Sequence, residues 1–150
     1  MLKWLDIPPT WLVGALGLGW VQSNYFDLGL SLWSNFTMLV SGLSVGGGIL
    51  SILFAALEFK KGRTTIIPHL EASKLITSGI FKRTRNPIYM GDTLILLGMF
   101  LYWDAVLSLV LVPLFMRIIE GRFIVPEEDR LRRKFRADFA RYSAKTRRWM

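Results

Sequence analysis

The feature that most restricts the fold of this chain is an uncharged, mostly apolar run at residues 36–57. It covers about 22 residues and as an α-helix would be about 33 Å long, enough to cross the hydrocarbon core of a bilayer. A segment inside a bilayer must satisfy its own backbone polar groups, which a helix does. We therefore predict a membrane-spanning helix over about residues 36–58.

Three further apolar runs have helical length. Residues 10–26 form a short candidate span, and the runs at 87–102 and 105–122 are separated only by Trp103 and Asp104, which predicts a tight helical hairpin. Of the 150 residues, 52% are hydrophobic, which is typical of a membrane protein. The predicted fold class is a single-domain, all-α integral membrane protein with four transmembrane helices.

Charge is distributed unevenly along the chain. Residues 1–57 carry only Lys3, Asp6 and Asp27, although the net charge is +8. The bases border the apolar runs, so anionic lipid headgroups are a simpler partner than nucleic acid. By the positive-inside rule, both termini and the loop at 60–86 lie in the cytoplasm, while Asp27 and Asp104 mark the other side. In a bacterial cell this predicts an inner-membrane protein.

The C-terminal segment, residues 126–143, has the pattern of an amphipathic helix. Pro126 suits the first helical position, and acidic residues follow in the turn where the helix dipole favours them. Apolar residues recur at helical spacing at Leu131, Phe135, Phe139 and Tyr142. We predict a helix lying on the cytoplasmic membrane surface, for which lipid anchoring alone would be a sufficient role.

Glycines are concentrated in the longest apolar run. Gly42 and Gly46 form a G-x-x-x-G pair, extended by Gly47 and Gly48, which predicts a groove where another helix approaches closely. Helix packing is favoured over a ligand role, and the Gly42/Gly46 face is a candidate contact between two copies of the chain.

A basic, glycine-punctuated loop runs directly into the third apolar run. Pro87 predicts a helix start, and Gly79 offers a turn with positive φ or a close backbone approach. The free N–H groups of that helix would face a positively charged mouth suited to polar ligand groups. Asp92 is expected in the first helical turn, favoured by the dipole, and His69 is expected to be solvated rather than catalytic. The alternative is an ordinary juxtamembrane loop held by anionic lipid.

The order and spacing of several short motifs resemble the membrane methyltransferases of the isoprenylcysteine carboxyl methyltransferase and phospholipid methyltransferase group. The resemblance covers about residues 64–149. It is carried by a helix-start motif, a following Leu-Gly pair, an acidic pair and a C-terminal dipeptide: Arg85-Asn86-Pro87-Ile88-Tyr89-Met90-Gly91, Leu97-Gly98, Glu127-Glu128 with Leu131 and Phe135, and Arg148-Trp149.

The resemblance implies a helical membrane protein that binds S-adenosylmethionine at its cytoplasmic face. The implied cofactor-binding residues are Gly79, Arg85, Asn86, Pro87, Tyr89, Gly91, Glu127 and Glu128. Glu127 or Glu128 would meet the ribose hydroxyls or the cationic end, and Arg133 is a candidate for a carboxylate of cofactor or substrate. These three are the implied catalytic residues. No metal is implied.

Two departures from the family pattern leave the acceptor open between a phospholipid amine and an isoprenylcysteine-type carboxylate. Asn86 stands where the isoprenylcysteine enzymes usually have His, and Arg136 stands where the tail usually has Gly. A membrane lipid or a hydrophobic small molecule fits either case. The competing readings are a non-catalytic membrane scaffold or lipid-binding protein, and a reductase related to the sterol reductases.

Overall fold

The computed structural model describes residues 6–26, 28–64 and 73–150, so the predictions for Lys3, Asp27 and His69 lie outside the described residues. The described chain is helical, as predicted, and contains no strand. The described residues form five α-helices: α1 (Pro8–Tyr25), α2 (Asn35–Gly62), α3 (Pro87–Tyr102), α4 (Leu111–Ile119) and α5 (Val125–Lys145). Short 3-10 turns occupy Gly79–Lys82 and Val106–Val110.

Helix α2 is the described helix that is long and apolar enough to cross a membrane. It has 28 residues, and its large apolar side chains stay exposed around most of its surface; Phe36, for example, is 75% exposed. Apolar residues on all sides are typical of a helix that faces lipid. Helix α3 is apolar but has 16 residues, so the prediction of four spans is supported by length and composition for α2 alone.

Local sequence explains how α3 begins and ends. Pro87 occupies its first turn, as predicted. At the other end Asp104 has a positive φ of 53°, and the amide of Ala105 donates to the Phe100 carbonyl at 2.9 Å. This is the geometry of a Schellman helix end, with Asp in the position that Gly usually fills. The predicted hairpin at Trp103 and Asp104 is therefore present.

Helices α2 and α3 approach so closely that their backbones touch. A Cβ added at Gly48 would lie 2.6 Å from the Gly91 carbonyl oxygen, and the Ser51 hydroxyl donates to the Pro87 carbonyl at 2.6 Å. At Gly42 and Gly46 an added Cβ would meet no described atom within 4 Å. The close contact predicted from the glycine run thus uses Gly48, and the role of the Gly42/Gly46 face in pairing two copies stays a prediction.

The fourth apolar run and the tail helix, predicted as the separate segments 105–122 and 126–143, are continuous in the structure. Helix α4 continues through a π-helical turn, Glu120–Ile124, straight into α5. The helix is interrupted later, at Arg136, where φ is 40° and ψ is −109°. The interruption redirects the last turns of α5, and it accompanies the docking of Phe139 and Tyr142 against Phe81. One uninterrupted helix over 126–143 was therefore an oversimplification of the tail.

Candidate functional site

The N-terminal end of α3 meets the start of α5. The Tyr89 hydroxyl donates to Oε2 of Glu127 at 3.3 Å, joining residues 38 positions apart in the sequence. Tyr89 is 7% exposed because its ring belongs to the core cluster that contains Phe115, Ile119 and Phe123. Glu127 is half-buried, and burial raises the pKa of its carboxyl above the ordinary value. The pair places a polar, ionisable edge on an otherwise apolar core.

Glu128, the neighbouring acid, is held between two guanidinium groups. Arg85 donates to its Oε1 from Nε at 3.1 Å and from Nη2 at 3.0 Å, and Arg148 donates to its Oε2 at 2.8 Å. Burial by itself would raise the pKa of Glu128, but the hydrogen bonds from Arg148 and Arg85 outweigh it and hold the pKa below its ordinary value. Glu128 is therefore an ionised anchor.

The signature loop is fastened to the C-terminal end of the chain. The Asn86 side chain donates to the Arg148 carbonyl at 2.9 Å, and the Arg85 amide donates to the Arg147 carbonyl at 3.0 Å. The Arg85 guanidinium also donates to the carbonyls of Ser143 and Thr146, at 3.0 and 2.7 Å. These contacts give Arg85 and Asn86 a role in holding the loop in place.

Gly79 adopts the positive φ predicted for it, +57°. A Cβ built there would lie 2.6 Å from the side chain of Glu58 on α2, and the hydroxyl of Ser78 donates to the same carboxylate. The left-handed conformation therefore serves to fit the loop against α2. The side chain that lies against Gly79 is thus that of Glu58.

Two other predicted site residues lie away from the Tyr89–Glu127 pair. Gly91 faces α2, where an added Cβ would be 2.7 Å from the Gly48 carbonyl oxygen, so its missing side chain serves helix packing. Arg133 is exposed and lies six residues beyond Glu127, which places it on a different face of α5. Pro87 is buried at the start of α3. The structure thus brings together Tyr89, Glu127, Glu128 and Arg85, and leaves Arg133 outside.

Glu120 and Arg148 form contacts that the sequence did not predict. Arg148 donates to Glu120 through Nη1 and to Glu128 through Nη2, and the Trp149 indole donates to Glu120 at 3.0 Å. In the sequence, these contacts are indicated only by the Arg148-Trp149 dipeptide and by an acid, Glu120, at the end of an apolar run. Such residues usually have a partner, but the sequence does not say which.

Two cavities lie beside this site. One, of about 640 Å³, is a mainly apolar groove between α1 and α4, with an ion pair between Asp6 and Arg122 on its lining. The other, of about 770 Å³, is basic and lies between the segment at 73–82 and the end of α5. Neither is lined by Tyr89 or Glu127.

Comparison with known protein families gives a match to one family model, described as phospholipid methyltransferase, over residues 36–138. The matched segment covers more than half of the chain and contains all but the first residue of α2, the whole of α3 and α4, and most of α5, including the Tyr89–Glu127 pair. Comparison with curated proteins and with solved structures found no match. The family match agrees with the resemblance carried by the sequence motifs. The chain belongs to the phospholipid methyltransferase family, a family of membrane methyltransferases.

Proposed function

We propose that the chain is an integral membrane methyltransferase that uses S-adenosylmethionine and acts on a lipid-like acceptor at the cytoplasmic membrane face. The observation that carries this proposal is the contact between Tyr89 and Glu127 at 3.3 Å. It joins the helix-start motif to the acidic pair, the two segments between which the family resemblance expects the cofactor.

The residues at this contact suit the proposed cofactor. S-adenosylmethionine, when bound, supplies an activated methyl group on a positively charged sulfur. The half-buried Glu127 carboxylate, whose pKa is raised by burial, would be stabilised by ribose hydroxyl donors or by a nearby cation. The Tyr89 ring offers an apolar surface with a polar tip. Glu127 and Tyr89 are accordingly the residues that we expect to touch the cofactor.

Glu128, Arg85 and Arg148 act through position. Their ion pairs fix the start of α5 against the signature loop, so Glu127 and Tyr89 keep their geometry. Methyl transfer to a ready nucleophile depends mainly on positioning and on the local electric field. A rigid clamp next to the binding residues therefore contributes to the rate without touching the reactants.

The membrane setting follows from the same surfaces. The exposed apolar sides of α2 suit lipid, and a cytoplasmic position for both termini is the orientation that the positive-inside rule favours. The basic cavity between residues 73–82 and the end of α5 is lined by four bases and one acid, Lys74, Lys82, Arg141, Lys145 and Asp138. We expect this surface to bind anionic lipid headgroups.

Isothermal calorimetry with S-adenosylhomocysteine on detergent-purified protein tests the proposal. The wild type should bind, and Glu127→Gln should weaken binding by roughly 10-fold to 100-fold, the value of a hydrogen bond to a charged group. Asp129→Asn is the matched control, because Asp129 sits on the same helix in an exposed ion pair with Arg132. No binding by the wild type up to millimolar concentration would favour a non-catalytic scaffold instead.

A further inference from the structure

Asp92 lies deeper in α3 than the sequence analysis expected. It is the sixth residue of the helix and belongs to its second turn, about 8 Å along the axis from Pro87. The favourable effect of a helix dipole on an acid fades within the first turn, so it does not account for Asp92. The side chain is only 7% exposed. An acid inside an apolar helix bundle is costly and calls for a cationic partner.

The protein itself supplies no such partner among the described residues. There, the Asp92 carboxylate forms neither a hydrogen bond nor an ion pair, in contrast to Glu120, Glu127 and Glu128. No side-chain oxygen in this part of the chain is both fully sealed and without a hydrogen bond, so the Asp92 oxygens still touch accessible space. Asp92 is therefore a nearly buried acid that a small polar group can reach.

Asp92 shares a helix face with Tyr89. The two are three residues apart, and the Asp92 charge acts on the Tyr89 hydroxyl. Glu127 and Arg130 of α5 are the other charged groups that act on Tyr89. The parts of α2 packed here, around Gly48, are uncharged, and the sides of α1 and α4 that pack on this core are apolar. A cation arriving next to Tyr89 would therefore meet two acids, Glu127 on α5 and Asp92 on α3.

Resting on the proposed function, we propose that Asp92 binds the protonated amine of a lipid acceptor and takes its proton before methyl transfer. An ammonium nitrogen has no free electron pair, because all of them are held in bonds. Transfer of one proton to the Asp92 carboxylate frees a pair on nitrogen and leaves a neutral carboxylic acid. The nitrogen pair then forms the new bond to the donor methyl, while the C–S bond breaks and its electron pair stays on sulfur. The Asp92 proton later passes to water.

The same geometry disfavours a carboxylate acceptor. A second negative charge beside Asp92 in an apolar core would be repelled by the Asp92 carboxylate. Asp92 thus selects between the two acceptor classes that the sequence leaves open.

The test compares wild type, Asp92→Asn and Asp92→Glu in nanodiscs of phosphatidylethanolamine and phosphatidylglycerol, with radiolabelled methyl transfer measured from pH 6 to 10. We expect Asp92→Asn to lose about 100-fold or more near pH 7 and to recover about tenfold per pH unit, because hydroxide replaces the missing base. The methyl-transfer rate of Asp92→Glu should not depend on pH once the introduced carboxyl is ionised. Asp129→Asn is the control and should follow the wild type.

Three results would overturn the proposal. One is an Asp92→Asn rate with the wild-type level and pH profile. Another is a uniform loss accompanied by weaker S-adenosylhomocysteine binding, which would indicate a structural role. The third is wild-type methylation of a farnesylated cysteine carboxylate in phosphatidylglycerol nanodiscs with none of phosphatidylethanolamine. In this last case, intact S-adenosylhomocysteine binding by the wild type would leave the proposed function standing, whereas absent binding would remove both.

Discussion

Replacing Glu128 by Ala should be strongly destabilising. The Glu128 side chain is 7% exposed and that of Arg85 is 13% exposed, so both charges of this pair are shielded from water. Removing one partner of a buried ion pair costs about 3–5 kcal/mol, because the other charge is left uncompensated. Arg85 would keep its bonds to two backbone carbonyls, and Arg148 is a third exposed, so water would screen it. We therefore expect Glu128→Ala to lower the free energy of unfolding by about 3 kcal/mol, the lower end of that range.

Unfolding by SDS in detergent micelles, followed by tryptophan fluorescence, measures this loss. Asp129→Ala is the matched control on the adjacent residue: its partner Arg132 is 63% exposed, so its loss should cost about 0–0.5 kcal/mol. Equal destabilisation by the two variants would refute the reasoning.

The same ion pairs predict a pH dependence. The pKa of Glu128 is lowered by folding, so its stabilisation is fully present above the ordinary value of 4.5 and is lost as the pH falls through the lower folded value. The difference in free energy of unfolding between wild type and Glu128→Ala should therefore shrink below pH 4.5. A difference that stays constant down to pH 3 would contradict an electrostatic origin.

Three further predictions follow from local geometry. Gly48→Ala should lower the free energy of unfolding by about 1–3 kcal/mol, because the added Cβ would press on the α3 backbone. Gly46→Ala is the control: its Cβ would meet open space, so the change should be nearly neutral in the monomer, and thermal unfolding in detergent compares the two. Arg136→Gly should raise the free energy of unfolding by about 1 kcal/mol, because glycine adopts a positive φ without strain. Ala137→Gly should lower the free energy of unfolding, and a lower value for Arg136→Gly as well would contradict backbone strain at Arg136. Glu127→Gln should raise the free energy of unfolding at pH 7, since burial raises the pKa of Glu127 and its ionised form is costly; the gain should vanish below pH 4.5.

The features predictable from sequence are those that neighbouring residues decide. Pro87 indicates the start of α3 because its fixed φ and missing N–H suit that position, and Trp103 with Asp104 left too few residues for anything but a tight turn. The uncharged apolar stretch at 36–57, which forms most of α2, is visible in the sequence alone. Each of these is independent of the rest of the fold.

The features that sequence did not predict depend on distant partners. Which acid would be clamped and which would meet Tyr89 depends on the approach of Arg85 and Arg148, which lie 43 residues before and 20 residues after Glu128. In the glycine run, neighbours in the sequence are locally equivalent, and only packing against α3 distinguishes Gly48. At Arg136 the departure from the family glycine was visible, but the broken helix followed only from the docking of the last turns.

The central claim is that Tyr89 and Glu127 form one binding site for the methyl donor. A double-mutant cycle with Tyr89→Phe and Glu127→Gln, measured as S-adenosylhomocysteine affinity by calorimetry, tests it most directly. Because the two side chains are in contact, their effects should be coupled by about 0.5–3 kcal/mol. Purely additive effects, or wild-type affinity in both single variants, would contradict a shared site.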